Sequence, residues 1–287
     1  MSWTEAPRMQ MARDGRMRLT HGPIDVIVTA DGPARAVARA LGRARDGFAP
    51  LLTGLCAELP RLRQADGLAP TGPVAQRMHR AAARFAPAFA TPMAAVAGAV
   101  SDHLLAEMLV PGHALTRAHV NNGGDIALYT RSAPLRLAIC DVPETRAPGA
   151  RALIGPRDGI GGVATSGWRG RSHSMGIADA VTVLARDAAL ADVAATLIAN
   201  AVDLPGHPAI MRAPANTLSP DSDLGPRPVT TDVGPLAPPE IAAALVAARA
   251  LAQDYISRGL IRAACVALAG TRIALGQHIE TKELQNA

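Results

Sequence analysis

The chain has 287 residues, with 29 Lys and Arg against 24 Asp and Glu, 49% hydrophobic residues and 2% aromatics. This length suits one large domain or two small ones, and the low charge and high alanine content exclude a disordered chain, because there is apolar surface enough to offset ordering entropy. No run of about 18 uncharged apolar residues exists, so no membrane span is expected; Glu5, Arg8, Arg13, Asp14 and Arg16 leave no apolar core for a signal peptide, and a cytoplasmic location is expected.

The first strands are expected at Arg16–Thr20 and Ile24–Thr29, around the turn His21-Gly22-Pro23. Asp31-Gly32-Pro33 then opens an Arg/Ala-rich helix, with proline at a permitted early position. Val37, Leu41, Phe48, Leu51, Leu52, Leu55 and Leu59 mark the buried side of one helix, or of two separated at Gly47–Pro50. A helix over about Val74–Arg84 and a longer small-residue helix from Met93 to Leu109 follow. A meander is read at Thr116–Val120, Ile126–Thr130 and Leu135–Cys140. Gly155–Gly162 is a Gly-rich loop leading into Val163-Ala164-Thr165. Ala180–Ala185 reads as a buried strand and Asp187–Val202 as a helix. Leu204–Pro239 shows no helical period and is expected to be a long irregular loop (204–239). A helix near Ile241–Ser257 and a hairpin, Ala263–Ala269 with Arg272–Leu275, close the chain. Strands and helices mix without strict alternation, which predicts an α+β fold.

Several chemistries are excluded. The 29 basic residues include a single lysine, Lys282, so neither a Walker-type phosphate loop nor a Schiff-base lysine is available. The arginines are dispersed and only seven aromatic side chains exist to stack bases, so no nucleic-acid partner is expected. Cys56, Cys140 and Cys265 are far apart in apolar surroundings and read as buried small hydrophobes.

Three segments concentrate polar residues. In Asn121-Asn122-Gly123-Gly124-Asp125, paired glycines leave backbone N–H groups open to a phosphate or flavin, and the asparagines and Asp125 add hydrogen-bonding groups. Asn-Gly and Gly-Gly are equally the dipeptides of a tight hairpin. In Thr165-Ser166-Gly167-Trp168-Arg169-Gly170-Arg171-Ser172-His173, a strand empties into a loop. Its two arginines can grip phosphate bidentately and its His173 can accept a proton; a solvated basic loop is the alternative. Asp192 and Thr196 stand one helical turn apart on a shared face, an oxygen-donor pair that suits Mg2+ or, equally, ordinary helix capping and back-bonding.

In order along the chain, Gly98-Ala99-Val100-Ser101-Asp102, Asn122-Gly123-Gly124-Asp125-Ile126, Ala164-Thr165-Ser166-Gly167, Val181-Thr182-Val183 and Ala191-Asp192-Val193-Ala194-Ala195-Thr196 resemble the ApbE superfamily of FAD:protein FMN transferases. Ser174-Met175-Gly176-Ile177-Ala178-Asp179 and the run 203–208 are similar to a short, uncharacterised branch of it. The resemblance implies a single domain over 1–287, with mixed sheets flanked by helices and two lobes around a central nucleotide-sized cleft. It implies Mg2+-dependent cleavage of FAD and transfer of FMN to an acceptor protein. Asp192 and Thr196 would hold the metal, and Asn121 to Asp125 and Thr165 to Gly167, with Arg169, Arg171 and Asp179, would line the nucleotide site. His173 and Asp192 would be catalytic. A homodimer is a possible assembly. Ala97 stands where the family carries lysine, and the alternative it favours is a flavin- or small-ligand-binding protein that serves a partner enzyme without cleavage.

Overall fold

The computed structural model describes residues 5–140 and 148–281; Lys282 lies outside them. In chain order the first elements are β1 (Arg8–Met11), β2 (Met17–His21), β3 (Ile24–Asp31), α1 (Ala34–Phe48), α2 (Leu51–Ala57), α3 (Leu59–Leu62) and α4 (Pro73–Ala83). They are followed by α5 (Val96–Met108), β4 (Arg117–Asn122), β5 (Asp125–Thr130), β6 (Leu135–Cys140), β7 (Pro148–Ile154), β8 (Gly162–Ser166), β9 (Ala180–Ala185) and α6 (Ala188–Ala201). The last are β10 (Ile210–Pro214), α7 (Ala215–Leu218), β11 (Pro228–Val233), α8 (Pro238–Ser257), β12 (Ala263–Leu268), β13 (Thr271–Gly276) and β14 (Ile279–Thr281). The expected α+β class is what these elements build.

The chain divides into two compact units, the first comprising Met1–Pro134, Gly155–Ala164 and Ala185–Val193, the second Leu135–Ile154, Thr165–Leu184 and Ala194–Ala287. In the first unit β1 to β5 form an antiparallel meander, and the Gly162–Val163 end of β8 pairs with β5. Strand β3 alternates, burying Ile24, Val26 and Val28, as a sheet with one covered face requires. Its cover is α1, which buries Ala36, Ala40, Ala44 and Phe48 at four-residue spacing and packs on α5. Alanines at that seam let the two helices approach closely. Full burial of larger side chains such as Val26, Leu104 and Met108 contributes about 1.5–3 kcal/mol each.

The helix read across Gly47–Pro50 resolves into α1 and α2, with Pro50 at the break. The stretch read as one helix from Met93 begins instead with a 3-10 turn, Pro92–Ala95, and turns α-helical only at Val96. Pro92 sets its first position, and the Thr91 hydroxyl accepts from the Met93 N–H at 3.2 Å, a side-chain cap that starts the chain turning.

In the second unit β9 and β12 are buried along their whole length and pair antiparallel, and β13 returns beside β12. Helix α8 covers them with Ile241, Ala244, Leu245, Ala248, Ala252 and Tyr255. A separate sheet has the order β14-β7-β6. The segment 204–239, expected to be irregular, contains the antiparallel ribbon β10–β11 and the short helix α7. The ribbon escapes sequence reading because its strands begin or end on Pro214 and Pro228, and its register shifts between Met211 and Arg212, which breaks the alternation a strand should show. The Arg212–Asp203 ion pair and the His207–Glu240 contact at 3.0 Å tie this segment down. Among the cysteines, Cys265 is buried as expected, whereas Cys56 and Cys140 are only half-buried. No helix among the described residues is long and apolar enough to cross a membrane.

Candidate functional site

The first unit brings the start of α6 against α5 by removing side chains. A Cβ on Gly98 would lie 2.3 Å from the Ala188 carbonyl oxygen, and one on Gly162 would lie 2.1 Å from the Ala188 nitrogen. Only glycine permits either approach. The backbone groups exposed by this crossing are then exchanged between the helices. Asp102, one turn after Gly98, accepts from the Ala188 and Ala189 N–H groups at 3.0 and 2.9 Å. Asp187 accepts from Leu190 N–H at 2.9 Å, so the first three N–H groups of α6 are all capped. In return, Asp192 of α6 accepts from the Gly98 N–H in the first turn of α5 at 3.0 Å. The two helices cap each other.

Around this crossing the hairpin β4–β5 adds oxygen and amide groups. The buried Ser101 hydroxyl donates to the Asp125 carbonyl at 2.8 Å, and the Asn122 amide lies 3.4 Å from the Ala97 carbonyl. Asn121 Oδ1 accepts from Gly124 N–H at 2.9 Å and closes the turn. Gly123 and Gly124 take φ values of 68° and 116°, so the paired glycines do make the tight two-residue turn that the sequence allowed. Apart from Gly124 itself and its two chain neighbours, no atom lies within 4 Å of the place where a Gly124 Cβ would stand, so the backbone there is open to approach.

Charge sets this cluster apart. Burial pushes the Asp192 carboxyl well above the usual carboxylate range, and the neighbouring negative charge of Asp125 pushes it further; the Gly98 and Ala97 N–H groups oppose both. Burial likewise raises Asp102 to about 6, against the pull of its two backbone donors. Two half-buried carboxylates, Asp125 and Asp192, thus share a low-dielectric neighbourhood. Oxygen donors of this kind fit a hard dication such as Mg2+, which would relieve their repulsion and keep waters for the rest of its shell. No group of three or more His, Cys, Asp or Glu side chains among the described residues is arranged to hold a metal by side chains alone. Thr196 lies one turn beyond Asp192 on α6.

In the second unit the segment from Thr165 to Asp179 is anchored at several points. The hydroxyls of Thr165 and Thr182 are 2.8 Å apart. Arg169 Nε donates to Asp179 Oδ1 at 2.7 Å, and Asp179 Oδ2 accepts from the Ala269 N–H in the β12–β13 turn at 2.6 Å. The guanidinium of Arg169 stacks on Trp168, 4.5 Å from the ring centroid. A Cβ on Gly167 would fall 2.4 Å from the Asp179 carbonyl oxygen. Asp179 is therefore engaged by a guanidinium and a backbone N–H, and Arg169 by a carboxylate. Ser166 is half-buried, while Arg171 and His173 are exposed. Asn200, to which the motifs gave no role, accepts from Met175 N–H at 2.9 Å.

The structure thus gathers Asn121, Asn122, Asp125 and Asp192 in one unit, and Thr165, Gly167, Arg169 and Asp179 in the other. Reading the sequence missed Asp102 as the cap of α6 and Gly162 as its seat. For Asp102 the signal was present: glycine followed four residues later by aspartate puts a gap and an acceptor on one helix face.

The elements and this site define the class, an α+β protein in which two mutually capped helices set a partly buried acidic pair beside a glycine hairpin. A family model described as "AbpE bacteria" matches residues 8–277, and the chain belongs to that family, as the motif order led us to expect. A UPF0280 protein of Methanothrix thermoacetophila is 40% identical over 131 residues, 45% of this chain and 52% of that relative. A UPF0280 protein of Archaeoglobus fulgidus is 38% identical over 111 residues, 39% of this chain and 44% of that relative. The chain spans about half the length of the curated relatives it matches. Among solved structures, the ApbE protein of Thermotoga maritima is similar at a TM-score of 0.45 and 13% identity, covering 96% of each chain. The apo flavinyl transferase ApbE of Pseudomonas stutzeri is similar at a TM-score of 0.37 and 14% identity, also over 96% of each chain.

Proposed function

We propose that this protein is a Mg2+-dependent, flavin-transferase-like enzyme acting on FAD. The observation that carries the reading is the placement of Asp192: a carboxylate held by the first turn of α5, raised in pKa by burial and by Asp125, in a chain of this family. Such a group is better suited to a cation than to a place in a hydrophobic core. Asp192 and Thr196 would hold the metal, which when bound neutralises the negative charge of a diphosphate. The open backbone at Gly124 and the amides of Asn121 and Asn122 would orient the nucleotide. The reaction breaks the P–O–P bond of FAD. The hydroxyl oxygen of an acceptor protein takes the FMN phosphoryl group, His173 takes the hydroxyl proton, and AMP leaves. Positioning and charge neutralisation supply most of the catalysis in such a transfer.

Incubation with FAD and Mg2+, in which water takes the place of the acceptor hydroxyl and FMN and AMP are resolved by chromatography, tests this. The expected result is release of AMP by the wild-type protein and none by Asp192→Asn; cleavage that persists in that variant overturns the metal assignment. His173→Ala should lower the rate of transfer without weakening FAD binding. A second reading rests on Ala97, which supplies a methyl group where the family carries lysine. It is retention of a flavin for a partner enzyme without cleavage, and it predicts a protein purified with stoichiometric flavin that yields no AMP.

A further inference from the structure

A cavity of about 380 Å3 lies between α4 and the start of α6, within the first unit. Its wall carries Arg77, His79, Arg80, Arg84, Arg186 and Asp187. Four arginines thus share the wall with one carboxylate, and none of the groups is idle: Asp187 accepts from Leu190 N–H at 2.9 Å and from Arg186 Nε at 3.2 Å, Arg80 donates to Gln76 Oε1 at 3.4 Å, and Arg84 is engaged as well. Asp102 approaches Arg77 at 4.0 Å, but its oxygens face the Ala188 and Ala189 N–H groups. The wall keeps a formal excess of positive charge, four arginines to one aspartate, and a concave surface with such an excess concentrates counter-ions.

We propose that this cavity is a binding site for a compact phosphorylated polyanion, separate from the cluster around Asp192. Guanidinium forks match phosphate oxygens two at a time. The volume falls in the range of small-molecule sites, about 300–1,000 Å3. The N–H groups that open α6 are already capped, so the arginines and not the helix end would do the binding. His79 adds a donor. An Arg61 NH2 group lies 3.2 Å from its Nδ1; because the guanidinium can only donate, the ring proton is assigned to Nε2. Burial and the charges of Arg61 and Arg80 hold the imidazole below its ordinary pKa, so it is neutral near pH 7, and a bound anion would raise it. The separation from the acidic cluster follows from helix geometry. Leu190 lines the cavity, and Asp192, two residues on, projects about 200° around α6 from it, toward the first turn of α5.

Calorimetric titration of the full chain with inorganic pyrophosphate, in EDTA so that no metal assists at Asp192, tests the site. Saturable binding is expected, weakened at least about ten-fold in Arg80→Gln/Arg84→Gln. The same charge change on the exposed face of α1, Arg35→Gln/Arg39→Gln, should leave the affinity as it was, and Asp192→Asn should bind like the wild type. In long-range 1H–15N spectra the His79 ring signals should move, and their titration should shift to higher pH with pyrophosphate present. Absence of saturable binding at millimolar pyrophosphate overturns the proposal. So does an equal loss in both double variants, an unmoved His79 signal, or a loss caused by Asp192→Asn. None of these outcomes depends on whether FAD is cleaved.

Discussion

Asp179 and Asp192 both hold a backbone N–H in a partly or fully buried place, yet their electrostatic settings are opposite. Asp179 has Arg169 against it at 2.7 Å as well as the Ala269 N–H; the charge it brings into the protein is answered there. Asp192 has the Gly98 N–H but, as its main charged neighbour, another carboxylate, Asp125. A buried negative charge next to a second one costs folding free energy. Under the proposed function, a bound cation would offset that cost. Asp179 holds a loop in place; under the proposed function, Asp192 would bind a cation.

Filling the space that brings Asp192 to α5 should have the largest effect. Gly98→Ala drives a methyl group to 2.3 Å from a backbone oxygen of α6, a clash no side-chain rotation relieves. Destabilisation by more than about 3 kcal/mol is expected, read as a lower urea midpoint or as failure to fold. Gly162→Ala should be at least as severe. If either variant folds at wild-type stability, the crossing of α5 and α6 is not as described.

The next largest effect concerns the cap of α6. Asp102→Ala leaves the Ala188 and Ala189 N–H groups buried without acceptors and should cost about 2–4 kcal/mol; Asp102→Asn, which keeps one acceptor, should cost less. The pH dependence has a definite sign. Asp102 rises from its ordinary 3.8 to about 6 in the folded protein, so between those values the folded chain binds the proton and the unfolded chain does not. Stability contributed by this group is therefore greatest at low pH and declines as pH rises from about 4 to about 6. Asp192, raised in the same direction, reinforces the decline. Denaturation midpoints should show a shallower decline over that window in Asp102→Asn than in the wild type.

Substituting the two compared residues themselves should give opposite results. Asp179→Asn strips the countercharge from Arg169, which is 36% exposed and can turn to water, so a loss of about 1–2 kcal/mol is expected. Asp192→Asn keeps an acceptor for the Gly98 N–H and removes a like-charge conflict, so a gain of about 1 kcal/mol at pH 8 is expected. Thermal melts of the two variants side by side give the measurement. A loss in both would make Asp192 structural, like Asp179.

What was legible in the sequence follows from how local each feature is. β6, β9 and α6 could be read to within about a residue at their ends because period and end signals lie in the element itself. The paired glycines at 123 and 124 announced a turn for the same reason. The motif order carried the family and pointed to Asp192. The Gly98–Asp102 spacing marked a gap and an acceptor on one helix face, but their partners could not be read, since Asp102 and Ala188 are 86 residues apart and Gly98 and Asp192 are 94 apart, and nothing local says which helix end an acid will meet. Arg169 shows the same limit: its place near His173 suggested a phosphate ligand, and no local signal announced that it would pair with Asp179, ten residues on.

Some glycines are needed for space and others for conformation, and a substitution of the second kind should have the smallest effect. Gly124 has a φ of 116°, and no neighbour lies within 4 Å of the position a Cβ would take, so Gly124→Ala meets strain but no clash. A cost of about 1 kcal/mol is expected, a fraction of that at Gly98. The fold should survive, and the methyl group would then stand where the nucleotide is proposed to approach. FAD affinity should fall more than stability does, so the KM for FAD rises while the urea midpoint moves little. Equal sensitivity of binding and stability would mean that this turn only closes the β4–β5 hairpin, and the nucleotide would have to be oriented by other residues.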